Sequence, residues 1–423
     1  TTAAPAAPAA PAAPSPVQAV ENAPPQPTDM WERLRLGFRI PDMDNRRVRM
    51  WERWYSARPE YVARMLDRSS RFLHHVVQEV ERRNMPAEIA LLPMIESAYN
   101  PYAYSRAHAS GMWQFIPSTG RLYGLRQTYW YDGRRDVLAA TDAALDYLED
   151  LHEMFGSWDL ALAAYNMGEG GLSRAIARNQ RRKRPTNYQS LRMPRETRNY
   201  FPKLQAVKNI ISDPARYGLQ LAAVPNQPYF ATITTERHID VKLAAQLAEV
   251  SLEEFRILNS AHKKPVIKAN GSEIIFLPQD NVEIFRKNLE AHDEPLVSWG
   301  AYKIKRRDRL SRIARKHGVS MAYLKKVNGI SKRRRIRAGQ TIVVPLQDGV
   351  KPYLPDLPAP KIRRVRYKKK YKKKLKRPDT RTSAPAQRKT WIVRKPAETT
   401  RVQVAILSTP RRNSLILPQH PAE

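Results

Sequence analysis

The sequence predicts a mainly α protein: an all-α domain, then two small α+β modules of strand-helix-helix-strand order, then a basic tail. Three observations carry that prediction. From Met30 to about Asp213, apolar residues recur at helical spacing and strand signals are scarce. Two later stretches, at about 229–278 and 300–345, each read strand, helix, helix, strand. From Lys351 to Glu423 there are 21 Lys plus Arg against 4 Asp plus Glu, a net +17 and half of the +34 carried by all 423 residues.

The elements follow in chain order. Residues 1–29 repeat Ala-Ala-Pro, which builds no core and favours polyproline II, a spacer on the order of 80 Å long. In the helical block, Phe72, Val76, Val77 and Val80 share one face; Val137, Ala144, Leu145, Leu148 and Leu151 mark another amphipathic helix. Gly156 stops that helix and Ser157 is placed to cap the next, SWDLALAAYNMG. Pro214 to Pro228 reads as a linker. FATITT, VKLAAQLAEV, SLEEFRILN and EIIFLP form the first module; AYKIK, RLSRIARKHG, SMAYLKKVNG and QTIVVP form the second, of which the first looks like a diverged copy. The run KIRRVRYKKKYKKKLKR has no acid and is expected to be disordered in isolation.

Composition narrows the function classes. Cysteine is absent, which excludes disulfides, thiolate metal sites and cysteine nucleophiles together. No run of about 18 apolar residues occurs, so no transmembrane helix is expected. The numbering starts at Thr1 rather than Met, where a removed leader would leave it, and a secretion signal or lipid-bearing cysteine would have gone with that leader. The excess positive charge calls for a polyanionic partner, whether nucleic acid, anionic membrane or acidic wall polymer.

The candidate chemistry starts at Glu96. It follows Ala90, Leu91, Leu92, Met94 and Ile95 and precedes Tyr99, Tyr102, Tyr104, Trp113 and Phe115. Such neighbours desolvate a carboxylate and raise its pKa, which lets it hold a proton near neutrality and act as a general acid. The plainer alternative pairs it with Arg106 or with backbone N–H groups. In GMWQF, Gly111 allows a turn or a close ligand approach and Gln114 offers an amide to a substrate amide; the alternative is a turn with a core Trp. The glycines of MGEGG follow a helix and lack a GK[ST] ending, so they are no phosphate loop. His74 and His75 lack a carboxylate at ligand spacing, and HExxH is missing, so no metal or other cofactor is expected. Ser97 lacks the GxSxG elbow of a serine hydrolase. Asp132, Asp136 and Asp142 are read as caps at a loop and a helix start.

Four motifs in order, IESAYNP with Glu96-Ser97, then GMWQFIPSTGRLYGL, then AYN at 164–166, then RETRNYFPKL with Tyr200, resemble the membrane-bound lytic murein transglycosylase D family over about Pro86 to Lys208. The resemblance implies a goose-type-lysozyme-like catalytic domain at 85–213, with residues 30–84 as a helical segment packing on it. It further implies a degenerate LysM-like module at 229–278, a LysM module at 300–345 and a disordered basic tail at 346–423. The second module departs from the family where Arg307-Asp308-Arg309 replaces the usual Gly-Asp-Thr turn.

The activity implied is non-hydrolytic cleavage of the glycosidic bond between N-acetylmuramic acid and N-acetylglucosamine, giving 1,6-anhydro-muropeptides. Glu96 would serve as acid and then base; Ser97, Gln114, Tyr165, Asn166 and Tyr200 would bind substrate, with Tyr200 orienting Glu96. Peptidoglycan is then the partner, for the LysM-like modules as well as the catalytic domain. The tail would contact anionic wall or membrane polymers rather than nucleic acid. A monomer is expected, periplasmic and wall-associated, with anchorage to the outer membrane. A non-catalytic wall-binding scaffold is the rival from a different class, and the complete motif set argues against it.

Overall fold

Local chemistry sets the helix boundaries of the first half, which holds ten α-helices among the described residues: α1 (Met30–Leu36), α2 (Arg46–Ser56), α3 (Pro59–Ser70), α4 (Leu73–Arg82), α5 (Leu92–Ser97), α6 (Pro117–Leu122), α7 (Val137–Phe155), α8 (Trp158–Met167), α9 (Glu169–Gln180) and α10 (Tyr200–Ser212). The structure is a computed structural model that describes residues 27–269, 273–331, 336–347 and 349–358. Nearly all of the Ala/Pro repeat, and the whole of the Lys/Arg run, lie outside those residues.

Asn45 accepts from the backbone N–H groups of Arg47 and Val48 and so starts α2. Asp136 accepts from Ala139 N at the start of α7, and Gly156 closes that helix in the left-handed region at φ 74°. Ser157 stands at the N-cap of α8 but does not cap it: its hydroxyl donates to Asp159 at 2.5 Å, and the Asp159 carboxylate accepts from Leu160 N instead. Asp142 is likewise no cap. It sits inside α7 and pairs with Arg83 at 3.1 Å.

The two apolar faces read from sequence are buried, with Val76, Val77, Leu145 and Leu148 fully so. Together with α1, α2 and α10 they build one continuous core from Met30 to Val224. Residues 30–84 therefore share the core of the later helices. Fully burying a Val or Leu side chain is worth about 1.5–3 kcal/mol, so this shared interior is the main force holding the helical half together. The 214–228 stretch, expected to be a linker, is packed as well. Leu219 and Val224 are buried, Met30 N donates to Val224 O at 2.8 Å, and Trp31 Nε1 donates to Ala222 O at 2.8 Å. Its prolines fit an extended strap laid over α1, whose Met30 and Trp31 need cover.

The first module breaks its outer strands. β1 (Phe230–Thr235) and β2 (Ile239–Asp240) lead into α11 (Val241–Leu247) and α12 (Leu252–Leu258), followed by β3 (Val266–Ile267) and β4 (Glu273–Pro278). Pairing is nested and antiparallel, with Thr232 opposite Phe276 in the outer ladder and Ile239 opposite Ile267 in the inner one. A further helix, α13 (Val282–Glu290), which the sequence reading left out, seals the module with buried Val282 and Phe285. In the second module β5 (Trp299–Lys303), α14 (Leu310–Lys316), α15 (Met321–Val327) and β6 (Thr341–Pro345) keep the expected order, with Trp299 opposite Pro345.

The modules are fastened to the helical domain. Phe276 and Leu258 enter its core, Asp132 N donates to Ala261 O at 2.9 Å, Lys263 N donates to Trp130 O at 2.8 Å, and Arg126 pairs with the buried Glu273 at 2.5 Å. Trp130 in turn joins the core of the first module. The stretch 351–358, expected to open a disordered tail, is bound in place at its described positions. Trp130 Nε1 donates to Pro355 O at 2.8 Å, Tyr129 N to Leu357 O at 3.0 Å, and Ala301 N to Tyr353 O at 2.8 Å, while Leu354 is buried. Prolines leave its backbone extended, and that shape suits pairing along exposed edges.

Candidate active site

Two glutamates on one buried segment show why Glu96 stands apart. Residues 87–91 form a 3-10 turn that runs straight into α5, and every side chain from Ala87 to Met94 is buried. Glu88 is the satisfied one: its carboxylate accepts from Arg39 N at 3.0 Å and Ile40 N at 2.9 Å and pairs with Lys208 at 3.0 Å. Glu96 accepts a single hydrogen bond among the described residues, from Tyr200 Oη at 2.6 Å, and no cation lies within ion-pair distance. Arg106 is not its partner, and no backbone N–H serves it.

The consequence is electrostatic. Removal from water pushes the Glu96 carboxyl up to about 7; the Tyr200 hydrogen bond pulls it down, the charge of Glu196 pushes it up, and Lys203 pulls it down. Glu96 keeps partial solvent access, so it can meet a ligand. A carboxyl that titrates near neutrality while touching solvent is suited to give and take one proton.

Backbone strain holds the group in place. After α5 both Ala98 (φ 51°) and Tyr99 (φ 54°) are left-handed, a conformation that costs roughly 1–2 kcal/mol per residue for L-amino acids. Tyr99 secures the turn by burying its ring and donating to Ala90 O at 2.7 Å. The GMWQF turn then docks on α5 through Ser97, whose hydroxyl donates to Met112 O at 2.9 Å. Gly111 is at φ 85°, and a Cβ there would lie 1.7 Å from Arg134 O, so only glycine fits. Trp113 is fully buried with its Nε1 donating to Thr141 at 3.0 Å, which makes it the core Trp of the structural alternative. Gln114 is left-handed at φ 53°; its Nε2 donates to Gly111 O at 2.7 Å, and its Oε1 has no partner among the described residues.

The other expected site residues gather around the same place. Tyr165, on α8, donates to Trp113 O at 2.9 Å and lies close enough to Glu96 for the carboxylate charge to push its phenol further up, beyond what burial does. Asn166 accepts from Thr197 Oγ1 at 2.7 Å, which leaves its Nδ2 donor unpaired among the described residues. Tyr200 is buried at the first turn of α10, and burial first, then Glu96, raise its pKa far above the usual phenol value. The structure thus brings Glu96, Tyr165 and Tyr200 together, with Ser97 and Gln114 bonding to the turn beside them.

Sequence reasoning missed several neighbours. Glu196 and Lys203, which tune Glu96, flank Tyr200 in the same RETRNYFPKL motif. Tyr147 lies 5.4 Å from Tyr165 and 5.0 Å from Tyr123 between ring centroids, so a line of three half-buried tyrosines runs away from the site. Tyr147 donates to Glu169 at 3.0 Å and Tyr123 to Asp150 at 2.7 Å. Their signal was present in YGL and DYLED, where each tyrosine borders an apolar helical stripe. His75, by contrast, is half-buried against Phe230 and pushed down to about 4 by desolvation, which keeps it neutral.

Comparison with known proteins matches three parts of the chain. A Transglycosylase SLT domain matches residues 76–187, a "Lytic transglycosylase MltD, LysM-like domain" matches 229–294, and a LysM domain matches 302–345. Membrane-bound lytic murein transglycosylase D of Escherichia coli K12 is 34% identical over 333 residues, covering 75% of this chain and 72% of that protein. The protein of the same name from Escherichia coli O6:H1 gives the same figures. Tyr200 falls outside the SLT match, and its contact with Glu96 rests on the structure.

Proposed function

The chain belongs to the membrane-bound lytic murein transglycosylase D family, and on that premise we propose that Glu96 alone carries out both proton transfers of a peptidoglycan-cleaving lyase reaction. The observation that supports this reading most is the Glu96 carboxyl itself, lifted to about 7, held by one phenol and unpaired with any cation among the described residues.

The protonated carboxyl gives its proton to the oxygen joining muramic acid C1 to the N-acetylglucosamine leaving group. As that bond breaks, the muramoyl acetamido group stabilises the positive charge growing at C1. The C6 hydroxyl of the same sugar then bonds to C1, and ionised Glu96 takes its proton. A 1,6-anhydro ring and a free N-acetylglucosamine hydroxyl result; water is neither consumed nor released, and Glu96 ends protonated as it began. Tyr200 fixes one carboxyl oxygen and stabilises the ionised intermediate. Gln114 Oε1 and Asn166 Nδ2 are the acceptor and donor left free for the sugar amide and hydroxyls. Ser97, its proton held between Met112 O and Pro93 O, acts mainly by tying the Gln114 turn to the acid. Tyr165, Tyr147 and Tyr123 offer ring faces for further sugars along the strand.

Both LysM-like modules are assigned to glycan binding. In the second, Asp308 of the altered turn accepts from Tyr302 Oη at 2.8 Å and Lys305 N at 2.7 Å, so the aspartate still shapes the loop. We place the protein in the periplasm against the wall, acting as a monomer, with outer-membrane anchorage and tail contacts to anionic polymers as parts of the same proposal. Among the described residues no helix is long and apolar enough to cross a membrane.

Two neighbours make the single-acid reading testable by pH profile. Activity requires protonated Glu96, so it falls as pH rises through a value near 7. Tyr200→Phe removes a bond that lowers this pKa; the alkaline limb moves to higher pH and the maximal rate falls about tenfold to a hundredfold. Glu196→Gln removes a repulsion that raises it; the limb moves to lower pH with the maximal rate retained. If Glu196 were a second catalytic carboxylate, that variant would instead be inactive at every pH.

A further inference from the structure

A cavity of about 990 Å³ lies where the helical domain and both modules meet, and its lining does not include Glu96. Six cations face it: Arg135 from the helical domain, Arg256, Lys263 and Lys264 from the first module, and Lys326 and Arg337 from the second. Among the described residues no aspartate or glutamate lines it, and none of the six is ion-paired. Arg135, Lys263 and Lys264 among them are half-buried without a paired carboxylate, whereas Arg134 is matched with Asp132 at 2.8 Å and Lys208 with Glu88. Burial pushes Lys263 and Lys264 down to about 8, a cost that an anion in the cavity would reverse. Tyr102, Tyr129 and Tyr323 supply ring faces beside the charges, and Lys264 Nζ sits 4.4 Å from the Tyr129 ring centroid.

We propose that this cavity binds the carboxylate-bearing peptides carried by the glycan strand, and so gives the protein a preference for peptide-substituted over bare glycan. The inference rests on the function proposed above. Its walls come from the same three parts that would hold one strand. On such a strand the muramic acid carboxyl is tied up as the amide to the peptide, so the sugars are neutral and the fixed anions are the peptide carboxylates; an amidase removes these and leaves a single carboxylate held close against each muramic acid ring. A short acidic peptide meets the site's charge, its aromatic faces and its size, which is at the upper end of small-ligand pockets. Leu357 and Pro358 also line the cavity, so the bound stretch 351–358 forms part of the site.

The test uses the full chain with Arg256→Gln, Lys326→Gln and Arg337→Gln combined, three exposed cations whose loss leaves the core intact, and Lys326→Glu as a second variant. Binding and cleavage are measured on purified glycan strands, either peptide-bearing or stripped by an amidase. The wild type is expected to bind peptide-bearing strands ~10-fold tighter at low salt, an advantage that shrinks as salt rises. Both variants are expected to lose most of that advantage while cleaving bare strands as before. Equal binding of both strand types by a wild type that cleaves them, or variants that keep the preference, would overturn the inference. So would a duplex DNA fragment that displaces the strands and depends on the same cations. A wild type that cleaves neither strand type overturns the proposed function, and this inference with it.

Discussion

Glu96→Gln is expected to abolish release of anhydro-muropeptides from purified sacculi, a loss of ~10³-fold or more, because one group performs both proton transfers. It is also expected to stabilise the fold at neutral pH. The sign follows from linkage: the folded carboxyl titrates near 7 and the unfolded one near its ordinary 4.5, so the folded state binds more protons between those values. Stability contributed by this group is full below about pH 4.5 and lost as pH rises through about 7. Gln cannot ionise and still accepts the Tyr200 hydroxyl. Thermal melts at pH 8 should therefore show the variant more stable by on the order of 1–3 kcal/mol, with the gap closing near pH 4. An inactive variant no more stable than wild type at pH 8 would mean that Glu96 is not held in a desolvated site.

Gly111→Ala carries the second large effect. Its Cβ would lie 1.7 Å from Arg134 O and 2.8 Å from the carbonyl carbon, in a backbone at φ 85°. Neither atom is the end of a flexible side chain, so the turn must move, and with it Met112 O, the acceptor of Ser97, and Gln114. The expected cost exceeds about 3 kcal/mol, combining left-handed strain with overpacking. Urea unfolding should show an early midpoint, and whatever folds should cleave poorly. Gly124→Ala is the matched control: φ is 75°, but nothing lies within 4 Å, so strain acts without the clash and the cost is about 1 kcal/mol.

The helical half was legible because its cores repeat at helical spacing, as at Phe72, Val76, Val77 and Val80, and because Asp136 and Gly156 punctuate α7. Glu96 was legible from its apolar flank, since desolvation depends on neighbours that are adjacent in sequence. What stayed hidden depends on tertiary contact. The Tyr200 contact with Glu96, made across 104 residues, was reached only through the family resemblance, and Glu196 and Lys203, which the sequence did not point to, act on the carboxyl only because the start of α10 packs there. Residues 214–228 and 351–358 read as free connectors from their prolines, whereas burial of Leu219, Val224 and Leu354 decides their fate. Ser157 illustrates the limit of capping rules, because the neighbouring Asp159 carboxylate takes the Leu160 N–H that the serine hydroxyl would otherwise accept from. The six cavity cations come from three separate stretches, and nothing in any one of them announces a shared site.

The central claim is that one carboxyl acts as acid and then base on a strand that supplies its own nucleophile. Mass analysis of the fragments released from sacculi tests it most directly. Fragments ending in 1,6-anhydromuramic acid, each lighter by one water than a hydrolytic product, are the predicted result. Reducing-end muramic acid as the main product, with oxygen incorporated from labelled water, would contradict it.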